Sequence, residues 1–367
     1  MQLIFFVLLF LVIKPASGLT SDRIAAAHPQ ASTRIINFPA AGLGRYYTCE
    51  PPETFMLQWP VVPLSFPARG RVCVPSGASI SLDAPGLKGN ALRLLRMLRA
   101  NDIQGLNLTS ADIKPESVAH ICLLKGIRRL ALTSTPIGDS DLMRISSGLP
   151  GLEQLDLGST TLTDRCVNSF SKMRNLKVLR IDRTSDAFAA AAVARLARHQ
   201  TLAYLDLKLT GIGDSSLKAI STMPRIVTLN LCGTRITHNG LRYLLSSNTL
   251  KRLDVSQTSV DDQTIKDVIG KMGRLEELNL SATRVTDAGL AHLSGLRNLR
   301  KLWLRDLLKV TDASIPQLAR HSKLEDLEIQ RTGITVKGVK ELGKLLPKSE
   351  VHAKQPCSCR RRLRVNW

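Results

Sequence analysis

The residues that could do chemistry are scattered. The seven histidines (28, 120, 199, 238, 292, 321 and 352) fall at unrelated repeat positions. No H-E-x-x-H, phosphate-binding G-x-x-x-x-G-K-[ST], G-x-S-x-G or C-x-x-C pattern occurs. Such patterns put a nucleophile beside its base, cradle a phosphate, or bring metal ligands together. Without one there is no catalytic, cofactor-binding or metal-binding set to name, and the chain reads as a non-enzyme. The cysteines number seven, so at least one has no partner within the chain. Cys122 and Cys166 fall where small apolar residues are buried, and Cys232 falls toward a strand face. Cys49 and Cys73 form a candidate disulfide in an oxidising compartment. Cys357 and Cys359 are open between a small-loop disulfide, a soft-metal pair, an intermolecular link and two free thiols.

What remains is the chemistry of recognition. Asn107, Ala131, Asp156, Arg180, Asp206, Asn230, Asp254, Asn279, Trp303 and Glu328 recur at intervals of 24 to 26 residues, and Arg129, Tyr204, Arg252, Lys301 and Arg305 accompany them. Aromatic and Arg side chains dominate interface hot spots, so Arg129, Asp156, Arg180, Tyr204, Asp206, Arg252, Asp254, Lys301, Trp303 and Arg305 are the candidate partner-binding residues. The alternative is a row of ordinary solvated strand positions, with Trp303 covering an irregular turn.

The elements that position this ladder come from a repeat. Strand signatures of the form L-x-x-L-x-L start at Ile103, Ile127, Leu152, Leu176, Leu202, Ile226, Leu250, Leu275, Leu299 and Leu324. In the unit starting at Leu275, Leu278 and Leu280 alternate with polar residues, which buries one face of a short strand. Thr286-Asp287 offers a helix N-cap, as do Thr163-Asp164, Gly213-Asp214 and Thr311-Asp312. Leu290 and Leu293 then close one helical face over the strand leucines. One unit cannot bury its own leucines, whereas ten stacked units can.

These motifs resemble the leucine-rich-repeat family, and within it the subclass whose units read I-T-D-x-G-L-x-x-L, found in secreted bacterial repeat proteins and in F-box-linked adaptors. The resemblance covers residues 103–348 and implies an α/β solenoid: a curved horseshoe with parallel strands on the concave face and helices on the convex face. The family position that usually holds Asn or Cys is Thr here, at 135, 160, 184, 210, 234, 258, 283 and 332. A Thr hydroxyl can still bond loop backbone. Ala111 in the first unit and Leu307 in the ninth, which also has one extra residue, break this column, so those two turns are expected to be the least regular.

Outside the repeats, Leu3–Ile13 is an uncharged run too short to span ~30 Å of hydrocarbon, and Ala16-Ser17-Gly18 supplies small residues. It reads as a signal peptide cleaved after Gly18, which implies a secreted or periplasmic protein with no transmembrane helix in the mature chain. Residues 19–68 are expected to be a flexible Pro-rich segment, since eight of the seventeen prolines lie between 39 and 85. Residues 69–102 are expected to form an N-terminal cap, with a strand pair in 69–82 and an amphipathic helix in 91–99. Residues 349–367 are expected to be a mobile basic tail. The net charge is +21, a statement about partners rather than fold. Few aromatics accompany it and no nucleic-acid module is present, so no nucleic acid is expected. The partner is expected to be another protein, or an anionic glycan or envelope component. The resemblance also implies an alternative, a substrate-recognition adaptor of a ubiquitin ligase, although residues 19–90 show no F-box-like helical segment.

Overall fold

The structure is a computed structural model that describes residues 33–49 and 66–353. Ten short strands carry the repeats: β6 Gly105–Asn107, β7 Arg129–Ala131, β8 Gln154–Asp156, β9 Val178–Arg180, β10 Tyr204–Asp206, β11 Thr228–Asn230, β12 Arg252–Asp254, β13 Glu277–Asn279, β14 Lys301–Trp303 and β15 Asp326–Glu328. Each pairs in parallel with the next, residue against equivalent residue, as in Leu205 beside Leu229 and Leu229 beside Leu253. The middle leucine of each strand points inward, with Leu106, Leu130, Leu155 and Leu179 all at 0% exposure. Flanking residues such as Tyr204 and Asp206 therefore point the other way, because successive strand side chains alternate.

Ten helical segments cover the inner leucines from the far side, from Pro115–Leu123 to Val336–Leu345. Several are partly or wholly 3-10, such as Asp164–Lys172. Parallel strands stack ~4.8 Å apart while helices need ~8–10 Å. A stack held by both must bend toward its strands, which makes the strand face concave.

Every turn that follows a strand has one left-handed residue: Ser110, Ser134, Ser159, Arg183, Leu209, Gly233, Gln257, Ala282, Asp306 and Arg331. In eight units the next residue is the Thr expected there. Its buried or half-buried Oγ1 donates to the carbonyl three residues back, from Thr135 to Leu132 (2.5 Å) through Thr332 to Ile329 (2.9 Å). The two exceptional turns keep the left-handed corner. Ala111 and Leu307 are buried without that bond, and the extra residue of the ninth unit shows as Leu308, 76% exposed.

The Asp-Thr signature does more than cap helices. Thr286 Oγ1 accepts from the Ala288 amide, and the same hydroxyl donates to Asp262 of the preceding unit (2.7 Å), whose other oxygen takes the Thr286 amide (2.8 Å). The pairs Asp139–Thr163, Asp214–Thr237, Asp287–Thr311 and Asp312–Thr335 repeat this link. These bonds hold the carboxyls of Asp139 and Asp312 below the usual range, Asp139 despite an opposing effect of burial.

The ends differ from the sequence expectation. Residues 69–82 do not form a strand pair with each other. β4 (Gly70–Pro75) pairs antiparallel with β1 (Thr33–Phe38), and β5 (Ser79–Asp83) lies between β6, parallel, and β2 (Arg45–Cys49), antiparallel. β3 (Phe66–Pro67) adds to β2. Part of the segment expected to be flexible, 19–68, thus closes the first repeat. Tyr46 is 2% exposed and stacks on Phe38 (ring centroids 5.4 Å apart), apolar contact that the Pro-rich composition did not advertise. The helix expected over 91–99 is a short helical turn pair, Gly89–Leu92 and Arg93–Met97, with Leu92, Leu95 and Leu98 buried. At the other end the expected mobile tail begins with a strand, β16 (Glu350–His352), parallel to β15. Its pairing satisfies the open edge of β15. The signal-like residues 1–18 and Cys357–Cys359 lie outside the described residues.

Candidate functional site

Strands β6 to β16 form a wall whose outward side chains stand in two files, the first and third residues of each strand. Two clusters form on this wall. In the first, Arg180 is 7% exposed and its guanidinium carbon lies 5.1 Å from the centre of the Tyr204 ring, with Nη1 4.0 Å from Asp156 Oδ2. Tyr204 Oη donates to Asp206 Oδ2 (3.2 Å), while Asp206 Oδ1 accepts the Lys208 amide (3.0 Å). Burial pushes the Asp206 carboxyl up to about 6, against the pull of the Lys208 amide. Burial raises Tyr204, and the neighbouring Asp206 adds to it. Asp182 is also raised, by burial first and by the nearby Asp156 second.

In the second cluster Glu277 is the hub. Its Oε1 lies 3.2 Å from Arg252 Nε and 3.7 Å from Lys301 Nζ. Arg252 also donates to Thr228 (3.3 Å), and Asn279 donates to Asp254 (3.0 Å). Between the clusters and Trp303 lies a depression of about 300 Å³, lined by Tyr204, Thr228, Asn230, Arg252, Asp254, Glu277, Asn279 and Trp303. Its floor is Leu229 and Leu253. The arrangement offers a rigid, pre-paired polar surface with two aromatic edges and no nucleophile–base pair.

Of the expected site residues, Asp156, Arg180, Tyr204 and Asp206 meet in the first cluster, and Arg252, Asp254, Lys301 and Trp303 around the depression. Two stand apart. Arg129 lies toward the amino-terminal end, donating to Ser81 (2.6 Å). Arg305 follows strand β14 at its far edge, where it pairs with Glu328 (3.4 Å) and Gln330 (3.2 Å). Glu277 was missed, although it occupies the same file as Arg252 and Lys301. Opposite charges in adjacent rungs are the signal that could have found it.

The cysteines also differ in part. Cys166 is buried, and burial with a hydrogen bond to Asp139 pushes its thiol up to about 12. Cys232 lies on the strand-face side, beside Ser256 and Asp254, but is only 4% exposed, and burial raises its thiol. Cys122 is only half-buried, and it borders a shallow outer groove with Leu123 and Met143. Cys73 is a free thiol opposite Ile35, whereas the side chain of Cys49 lies outside the described residues. Among the described residues no group of three or more His, Cys, Asp or Glu is placed to hold a metal ion. In them no helix is long and apolar enough to cross a membrane.

The family model described as "Leucine Rich repeat" matches residues 198–221, the segment running from the end of one unit through β10 to the next helix. Among solved structures, the chain is similar to an internalin (InlF) from Listeria monocytogenes, at 16% identity and a TM-score of 0.50 over 75% of this chain and 81% of that one. It is similar also to a structure of the Rad7 and Elc1 complex in yeast, at 16% identity and a TM-score of 0.54 over 76% of this chain and 82% of that one. The fold is that of a leucine-rich-repeat solenoid. No curated protein matches the chain. At these identities the likeness concerns the fold alone, and a fold does not fix a function.

Proposed function

We propose that this leucine-rich-repeat protein is a non-enzymatic, extracytoplasmic binding protein that holds a protein partner on its concave face. The observation that carries the reading is the depression between Tyr204 and Trp303, set in a wall of residues already fixed by one another. Side chains that are ordered before binding lose little entropy when a partner arrives. Aromatic edges around a paired polar centre match the make-up of interface hot spots. Strands β6–β16 carry seven Asp or Glu against four Lys or Arg, which favours a protein over an anionic polymer on this face. The uncharged run at Leu3–Ile13 supports export, with residues 1–18 removed.

The test begins with a partner captured from an extracytoplasmic fraction and identified. Trp303→Ala should weaken its affinity by at least about tenfold, a hot-spot loss of ~1.4 kcal/mol or more. Arg305→Ala, at the edge of the wall, should cost less. Unchanged affinity in the Trp303 variant would remove the concave-face assignment. A mature chain that retains residues 1–18 in the cytosol would remove the export assignment.

A further inference from the structure

The charge of the repeats is not spread over them. The six residues immediately ahead of each strand from β7 to β16 hold sixteen Lys or Arg and three Asp or Glu. The six residues after each strand from β6 to β15, on the opposite edge, hold seven and four. All ten strands are parallel and in register, so the leading segments line up along one edge of the solenoid. The residues just before the strands are joined in file by backbone hydrogen bonds, Glu153 to Arg128 (2.7 Å), Lys177 to Glu153 (2.7 Å) and onward to Glu325 and Arg300 (2.7 Å), and Glu350, the first residue of β16, bonds Glu325 in turn (2.7 Å). At ~4.8 Å per strand the row of ten is about 45 Å long where it meets the sheet, and longer toward the helices.

Two ordinary explanations fall short of this density. Bases near helix ends offset the helix dipole, worth about half a negative charge per helix. Ten outer segments would thus account for about five of the excess positive charges, and the row has thirteen more bases than acids. Ion pairing accounts for little more. The three acids of the row are already matched within it: Lys177 with Glu153 (2.8 Å), Lys251 with Glu276 (2.8 Å), and Arg300 with Glu325. The other thirteen bases, Arg174, Arg225, Arg274 and Arg297 among them, are exposed, and among the described residues they have no acid within 4.0 Å.

We propose that this edge binds an extended polyanionic chain of the sulfated or carboxylated polysaccharide kind. A file of bases one unit wide and ten units long suits a linear polymer that can follow it. A bilayer presents its charge over an area and would meet only this line. The sixty residues of the ten segments contain no Phe, Tyr or Trp, so the edge lacks the aromatic platforms on which the bases of a single strand stack. This site is separate from the concave wall, which is acid-rich, and it does not depend on what that wall binds.

The experiment uses the full chain and labelled dextran sulfate, with unsulfated dextran, single-stranded DNA of matched charge and anionic vesicles as further arms. Binding to dextran sulfate should weaken steeply with salt as counterions are released. The variant R174Q/R225Q/R274Q/R297Q should weaken it by at least about tenfold at ~0.15 M salt. The variant K218Q/R242Q/K266Q/R284Q removes the same charge from exposed outer and opposite-edge positions and should change it by less than about twofold. Unchanged thermal melting of both variants keeps the comparison one of surface charge. Equal weakening in the two variants would overturn the edge assignment, as would no binding at all. Tighter binding of the DNA or the vesicles than of dextran sulfate would overturn the polysaccharide assignment.

Discussion

Gly289 stands third in its helix, Asp287–Leu290, where helix propensity alone says that alanine should be better by ~1 kcal/mol. Its surroundings say the opposite. A Cβ on Gly289 would lie 2.3 Å from Asp262 Oδ1 and 3.0 Å from Val285 Cγ1. The carboxylate can swing away only by releasing the Thr286 amide and hydroxyl (2.8 and 2.7 Å). Hydrogen bonds to a charged group contribute ~1.5 kcal/mol or more each, so losing both costs ~3 kcal/mol. After the propensity gain, Gly289→Ala should destabilise the chain by ~2 kcal/mol. Gly343 is the internal control: it lies inside the helix Val336–Leu345 with nothing within 4 Å of a built Cβ. Gly343→Ala should stabilise by up to ~1 kcal/mol. Urea denaturation followed by circular dichroism reads both changes. Asp262→Ala supplies the cycle, because in a chain without that carboxylate Gly289→Ala should no longer be harmful. A Gly289→Ala chain as stable as the parent would refute the claim that this glycine exists to admit the preceding unit's aspartate.

Three further outcomes are expected. Asp206 has a folded value of about 6 against an unfolded value of ~3.9. The fold therefore favours the protonated acid. Stability should fall by up to ~3 kcal/mol as pH rises from 4 to 7. Asp206→Asn should raise the melting temperature at neutral pH and bring little gain near pH 4, and an equal gain at both would contradict the assignment. Thr234→Val removes a buried hydroxyl that donates to the Leu231 carbonyl (2.6 Å) and should cost ~1 kcal/mol. No change in the denaturation midpoint would show the bond to be dispensable. Cys73 is a free thiol in the structure, so the unreduced chain should take up an alkylating reagent at Cys73. An intact mass that rises by two hydrogens on reduction would show instead the Cys49–Cys73 bridge considered for an oxidising compartment.

The solenoid was legible because its cause is periodic. A leucine that must be buried every 24 or 25 residues writes itself into the sequence, and the strand leucines expected at 278 and 302 sit fully buried in the sheet. The Thr column was legible for the same reason, since one hydroxyl repeats one bond. The ends were not, because a cap is made once. Thr33–Phe38 pairs with Gly70–Pro75 across more than thirty residues, and no local alternation reports so distant a partner. The strand at Glu350–His352 escaped because it lacks the leucine signature, carrying Val351 where β15 carries Leu327. The site was half legible. Files of equivalent positions could be read from the repeat, which brought Arg180, Tyr204 and Asp206 together. Glu277 escaped because hot-spot reasoning weighs aromatic and basic residues, whereas here an acid joins two bases.

The net charge teaches a similar lesson about sums. A value of +21 suggests a uniformly basic particle that would take an anion anywhere. The fold divides that total into an acid-rich wall and a basic edge, and the division follows from the unit itself. Each strand's middle residue is consumed by the core, and its flanking residues face one another across adjacent rungs. There, like charges repel and opposite charges pair, so the wall tends toward mixed charge. The segments leading into the strands are freer, because their side chains splay outward. Bases accumulate there with little repulsion at ionic strengths where charges ~8–10 Å apart are largely screened. A repeat protein can thus carry two surfaces of opposite character on one periodic frame, and only the register of its strands reveals which residues belong to which.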